Sequence, residues 1–257
     1  MTPVIKVGDR TLTASELVDC LTRHQLMPRL IQELLIDEAI ASVDCNTEEV
    51  AIAQQTFYQK HQLASEADKD AWRQQRGVSP DAFEALILRD LKLEKYKAQT
   101  WETQVESYFL QRKTQLDRVL YSLIRTEDAG LAQELYFRIH DDGESFSDLS
   151  RQYSEGQEAQ TGGLIGPVEL SVPHPTLAKM LSISQPNQIW SPTRIGEWFI
   201  IVRLEKFVPA QMDEAMRQRL LNELFSQWLQ TQLKQVAVQV LTLPQPPEPS
   251  ATDLNSP

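Results

Sequence analysis

Val4 to Thr11 reads as a small extended turn with Gly8-Asp9 at its tip. From Thr13 onward, apolar positions recur three and four residues apart, the period of a helix with one buried face. Thr13 with Glu16 forms a capping box, in which a hydroxyl meets an orphan N–H and a carboxylate reaches back, and Leu17 and Leu21 follow on one face. Pro28 restarts the helix, and Leu30, Ile31, Leu34, Leu35 and Ala39 are expected to form its apolar stripe. Asn46 with Glu49 is a second capping box, leading into Val50, Ala53, Phe57 and Tyr58, and a short helix is expected around Ser65 and Trp72. Ser79-Pro80 supplies an N-cap and a first helical residue for a long helix through Phe83, Leu86, Ile87 and Leu91. The helical pattern persists to about Leu116, so residues 1–116 are predicted to be all-α.

The period then changes. Val119 to Arg125 is a β-rich apolar run that predicts a strand. Thr126 is expected to cap a helix bearing Leu131, Leu135, Tyr136 and Ile139, closed at Asp142-Gly143. Phe146, Leu149 and Tyr153 mark a short amphipathic helix, followed by a polar loop. Gly162-Gly163 allow positive φ or close backbone approach before a strand at Leu164-Ile165, which Gly166-Pro167 is expected to stop. A helix runs from Pro175 through Leu177 and Leu181, Ile189-Trp190 is a short strand, and Trp198 to Leu204 is the strongest strand in the chain. This order over residues 117–207 predicts an α+β unit. From Pro209 the helical period returns with Met212, Met216, Leu220, Leu221, Leu224, Phe225, Trp228, Leu229 and Leu233, a stripe too apolar to leave in water. The fold class is therefore α+β: an all-α N-terminal domain completed by a returning helix at 209–240, with an α+β domain between them. The proline-rich segment 241–257 is expected to be a disordered tail.

Composition narrows the partners. The 257 residues are 41% hydrophobic and 24% charged, ordinary for a globular protein, but the formal net charge is −11. No basic stripe is available to neutralise phosphates, so neither nucleic acid nor an anionic membrane surface is an expected partner. No apolar run approaches the roughly 18 residues that a spanning helix needs. Cys20 and Cys45 have no metal-type spacing and read as buried thiols in a reducing cytoplasm. The start of the chain shows no apolar core behind a basic stretch, which adds to the expectation of a cytoplasmic protein. No nucleophile–base constellation or phosphate loop appears.

The stretch Phe146 to Val168 carries the functional signal. A helix ending Tyr153-Ser154, then Gly162-Gly163-Leu164-Ile165-Gly166, resembles the signature of the parvulin family of peptidyl-prolyl isomerases. The order of elements over 117–207 is similar to that family's topology. With the N-terminal helices and the returning helix, the whole resembles the SurA and PrsA class of chaperone-isomerases, in which the last helix completes the peptide-binding domain.

The resemblance implies an apolar pocket for a proline ring above a floor of two histidines and a Cys or Asp. Ile165 matches the pocket leucine, Leu177 the pocket phenylalanine, and Val168 stands where an aromatic is usual. The pocket methionine falls near Val172 or Pro173. The first-strand histidine is matched by Tyr121, and the Cys or Asp by Gly156. The last-strand histidine is matched by Ile200 counted without gaps, or by Phe199 if the loop at Gly196 is one residue shorter. Read without the resemblance, Tyr121 and Phe199 are plain core aromatics. On this alignment the polar floor is lost, although a phenol at Tyr121 keeps one hydrogen-bond donor. The expected function is prolyl isomerisation, without cofactor or metal, of unfolded proline-containing polypeptides. The alternative is a catalytically weak or inactive peptide-binding chaperone or dedicated assembly factor. The strand–helix link Arg125-Thr126-Glu127-Asp128 is short and acidic, so phosphorylated substrates are not expected to be preferred.

Overall fold

Local signals fix most element boundaries. The structure, a computed structural model, describes residues 3–238, so the expected tail at 241–257 lies outside the described residues. β1 (Pro3–Val7) and β2 (Arg10–Thr13) form an antiparallel hairpin, and four helices follow: α1 (Ala14–Arg23), α2 (Met27–Ile40), α3 (Thr47–His61) and α4 (Glu66–Arg76). The reciprocal capping boxes at Thr13/Glu16 and Asn46/Glu49 are both formed, and Ser65 with Asp68 makes a third. Each satisfies two N–H groups that a bare helix end would leave unpaired. α5 (Pro80–Leu116) begins after Ser79, whose hydroxyl accepts from the Ala82 N–H at 3.2 Å.

The chain divides into two compact units, one of Met1–Glu102 with Leu221–Pro257 and the other of Thr103–Leu220. In the first unit, Leu63, Phe83 and Ile87 are buried, with Phe57, Tyr58 and Trp72 packed against them. Trp101 of α5 meets Phe225 and Trp228 of the C-terminal helix α9 (Glu214–Gln235), with ring centroids 6.1 and 6.2 Å apart. The stripe expected on α2 is rotated from its predicted position. Ile36 and Ile40 are the buried residues, whereas Leu34 is 58% exposed and Leu30 also faces solvent. Five apolar residues crowd Leu30–Ile36, so the period alone fits two neighbouring faces and packing chooses between them.

The second unit is a four-stranded antiparallel sheet with helices on both faces. Its strands are β3 (Arg118–Thr126), β4 (Leu164–Glu169), β5 (Ile189–Ile195) and β6 (Trp198–Val208), in the order β4-β3-β6-β5. On one face, Ile124 and Ile201 pack with Leu135 of α6 (Ala129–His140) and Phe146 and Leu149 of α7 (Phe146–Tyr153). On the other, Val119, Tyr121, Leu123, Ile200, Val202 and Leu204 pack with Leu177, Met180 and Leu181 of α8 (Pro175–Ser182). Gly166-Pro167 does not stop β4. Gly166 takes φ +109 at an irregularity in the pairing, and the ladder resumes at Val168. Thr126 is not the cap of α6 either. It ends β3, fully buried, and Asp128 accepts from the Gly130 and Leu131 N–H groups instead.

The ends of this unit lie beyond 117–207. The Ser171 N–H donates to Gln115 O, the Ala210 N–H to Asp117 Oδ1 at 2.7 Å, and Arg219 pairs with Glu169. A 103–220 fragment is therefore expected to fold cooperatively. Trimming it to 117–207 removes three of these contacts and should lower its stability by roughly 3 kcal/mol, at about 1 kcal/mol per hydrogen bond. Urea melts of the two fragments, followed by circular dichroism, check this.

Candidate functional site

The α8-covered face of the sheet brings most of the expected site residues together. β3 and β4 pair so that Tyr121 lies across from Ile165 and Val119 across from Val168, and partners in a ladder project to the same face. On the other side of β3, Arg125 lies across from Ile200 and Tyr121 across from Leu204. Tyr121, Ile200 and Leu177 are buried in one apolar cluster, with Ile165, Val168 and Trp198 half-buried against it. Leu177, only 6% exposed, lies in the core beneath the face and does not form an open wall.

Two of the expected residues are elsewhere. Phe199 lies across from Thr126, one place along the ladder from the Arg125–Ile200 pair, and so projects to the opposite face. Ile200, the ungapped match, is the one that joins Tyr121. Val172 is 68% exposed in the turn before α8 and packs on nothing in the cluster. The sulfur on this face belongs to Met180, one turn after Leu177 on α8. The interval Leu177, Met180, Leu181 is a readable helical signal, but Met180 lies outside the strand-to-helix loop where the methionine was expected.

A polar cluster of Arg125, Ser154 and Glu158 adjoins this face. Arg125 Nε and Nη2 donate to the two carboxylate oxygens of Glu158 at 2.7 and 2.5 Å. The Ser154 hydroxyl donates to Glu158 Oε1 at 2.7 Å and accepts from the Arg125 N–H at 3.1 Å. The Glu158 side chain is 2% exposed, while the Arg125 side chain is 33% exposed, with its guanidinium 5.9 Å from the centre of the Trp198 ring. Burial alone would raise the Glu158 carboxyl; hydrogen bonds from Arg125 and Ser154 outweigh it and hold the group below its ordinary value. The Glu158 hydrogen bonds hold Arg125 more firmly protonated, and burial pushes the Tyr121 phenol up, so it remains a donor at neutral pH.

Gly156 stands where the resemblance places the family's Cys or Asp. Its φ of −104 suits any residue. Space is the constraint: a Cβ there would overlap Arg125 Nε and both carboxylate oxygens of Glu158. The space that a side chain at Gly156 would take is occupied by the carboxylate of Glu158, two residues later, and by Arg125 Nε. The signature glycines hold this arrangement. The short 3-10 helix Gln157–Thr161 that carries Glu158 ends at Gly162 in the left-handed conformation, and the Gly163 N–H donates to Glu158 O at 2.8 Å. Gly163, at φ +87, lies so close to β3 that a Cβ would come within 2.8 Å of Leu123 O.

In the first unit, a cleft of about 510 Å³ is lined by Tyr58, Leu63, Ala51 and Ala64 together with Gln54, Gln55, Gln59 and Gln62. It is a shallow, open depression whose exposed lining is mainly apolar.

Residues 124–206 match the family model of the PPIC-type PPIASE domain, a rotamase. No curated protein matches the sequence. Among solved structures, the chain is similar to the peptidylprolyl isomerase PrsA of Bacillus cereus, at 17% identity over 93% of each chain and a TM-score of 0.48. PrsA of Bacillus anthracis is 20% identical over 83% of this chain and 100% of its own, with a TM-score of 0.45. The parvulin domain of PpiD from E. coli is 25% identical over 39% of this chain and 97% of its own, with a TM-score of 0.34.

Glu158→Gln leaves Arg125 without its counter-charge. The loss should be roughly 3 kcal/mol at pH 7, the lower end of the range for breaking a buried pair, because Arg125 keeps contact with water. Since the folded carboxyl lies below its ordinary value of 4.5, the stabilisation is fully present above that pH and is lost as pH falls through the folded value. The stability gap between parent and variant, from denaturant melts at pH 7 and at successively lower pH, should therefore narrow only below about 4.5.

Proposed function

Taking residues 124–206 as a rotamase domain of the PPIC type, we propose that the chain is a peptidyl-prolyl cis-trans isomerase acting on unfolded, proline-containing polypeptides. One observation carries this reading: an apolar face and a polar floor meet on the same side of the sheet. Ile165, Val168 and Trp198 keep accessible apolar surface for a proline ring, and Tyr121, Arg125 and Glu158 lie beside them. Isomerisation breaks no covalent bond; its barrier of roughly 18–20 kcal/mol is the loss of amide resonance. An apolar seat lowers that barrier because water favours the planar, charge-separated amide. The open, mainly apolar depression of the first unit supports the polypeptide part of the proposal, since exposed apolar surface suits the apolar side chains of unfolded polypeptides. A cytoplasmic setting belongs to the same proposal and is supported by the two unpaired thiols, Cys20 and Cys45.

A non-catalytic peptide-binding role is the second reading, favoured by the aliphatic Ile200 at the place of the last-strand histidine. Exchange measurements on a proline test peptide separate the two. The parent should accelerate cis–trans exchange. Ile165→Ala should lower kcat/KM about tenfold, since removing some 1.4 kcal/mol of apolar contact corresponds to that factor. A parent that binds the peptide without accelerating its exchange would establish the second reading.

A further inference from the structure

Three polar positions of the family's floor are replaced in this chain, and the replacements converge on one group. Tyr121 stands at the first. Glu158 fills the volume left empty at Gly156. At the third, the strand offers Ile200, whose ladder partner across β3 is Arg125.

We propose that Arg125 is a catalytic residue of this rotamase face, donating a hydrogen bond to the prolyl amide nitrogen as the amide twists. This rests on the isomerase reading given above. A guanidinium carries five N–H donors, and Glu158 takes two of them, one on Nε and one on Nη2. Among the described residues none accepts from Nη1, so Arg125 keeps three donors for a ligand. The pair is also asymmetric. The Glu158 side chain is 2% exposed and the Arg125 side chain 33%, so Glu158 anchors the pair while Arg125 keeps contact with solvent near Trp198.

The chemistry selects the nitrogen. In the planar amide its lone pair is delocalised and accepts nothing; in the twisted amide it is localised and basic. A donor placed there strengthens only as the transition state forms, which is the requirement for raising kcat. A donor on the carbonyl oxygen would instead favour the planar form. Glu158, Ser154 and Gly156 act through Arg125 as positioning residues: Glu158 holds the guanidinium, Ser154 holds Glu158 and the Arg125 N–H, and Gly156 leaves room for the pair.

The test compares intact chains by exchange spectroscopy on one proline test peptide. Arg125→Met keeps the length of the side chain but no donor. It should lower kcat at least tenfold with KM little changed, while its near-ultraviolet dichroism matches the parent. Because Arg125→Met leaves Glu158 buried without a partner, Arg125→Met/Glu158→Met is measured beside it; an apolar replacement of both members keeps the fold. The double variant should show the same loss of kcat. Parent-level kcat in either folded variant would overturn the role of Arg125 and leave the isomerase reading intact. An inactive parent would overturn that reading, and the role of Arg125 with it.

Discussion

The rotamase face depends on one ion pair and the space it occupies. Arg125 and Glu158 form a two-point charge-assisted contact, fixed further by Ser154, in a volume that any side chain at residue 156 would invade. Burying a carboxylate is costly unless it is paired and hydrogen-bonded, and Glu158 is both. Its backbone is tied as well: its carbonyl accepts from the Gly163 N–H, whose own carbonyl accepts from Leu123 N–H of β3. The strand, the 3-10 helix and the glycine turn are thereby joined through one residue. Loss of the pair would leave an uncompensated charge and loosen the edge where β3 meets β4.

Much of the fold was legible because its signals are local. A capping box needs two residues three apart, and those at Thr13 and Asn46 can be read directly from the chain. The strand from Val119 to Arg125 and the left-handed or strained glycines after the short helix could be read for the same reason. Where several solutions fit the local pattern, tertiary packing decided. Leu34 and Ile36 are both good candidates for a buried face, and only the packed structure favours Ile36. Gly166-Pro167 looks like a stop, yet a positive φ lets the strand pass through it.

The site was half legible for a related reason. Tyr121, Ile165, Val168 and Leu177 lie on elements whose alternation or helical period fixes their direction, and the structure brings them to one face. Glu158 was missed because a carboxylate can replace its neighbour's side chain from two residues away, which position-by-position matching does not detect. The signal was present nonetheless: a glycine at a position where backbone freedom is not needed, an acid two residues on, and a basic residue at the end of the first strand. Phe199 and Ile200 differ by one residue, and a shift of one exchanges the two faces of a strand.

Among the described residues, Arg125, Tyr121 and Glu158 are the titratable groups proposed for the floor; Glu155, three residues before Glu158, accepts from the Thr126 hydroxyl. Glu158 stays ionised and Tyr121 and Arg125 stay protonated around neutral pH. His174, the histidine nearest in sequence to α8, turns its Nδ1 toward its own helix and accepts from the Thr176 N–H. The most direct measurement is therefore the pH dependence of kcat/KM for the intact chain, read by exchange spectroscopy without a coupling protease. A floor built from these groups predicts a flat profile from about pH 6 to 8.5. A sigmoidal step near 6.5, the ordinary histidine value, would contradict the account and place an imidazole in the reaction.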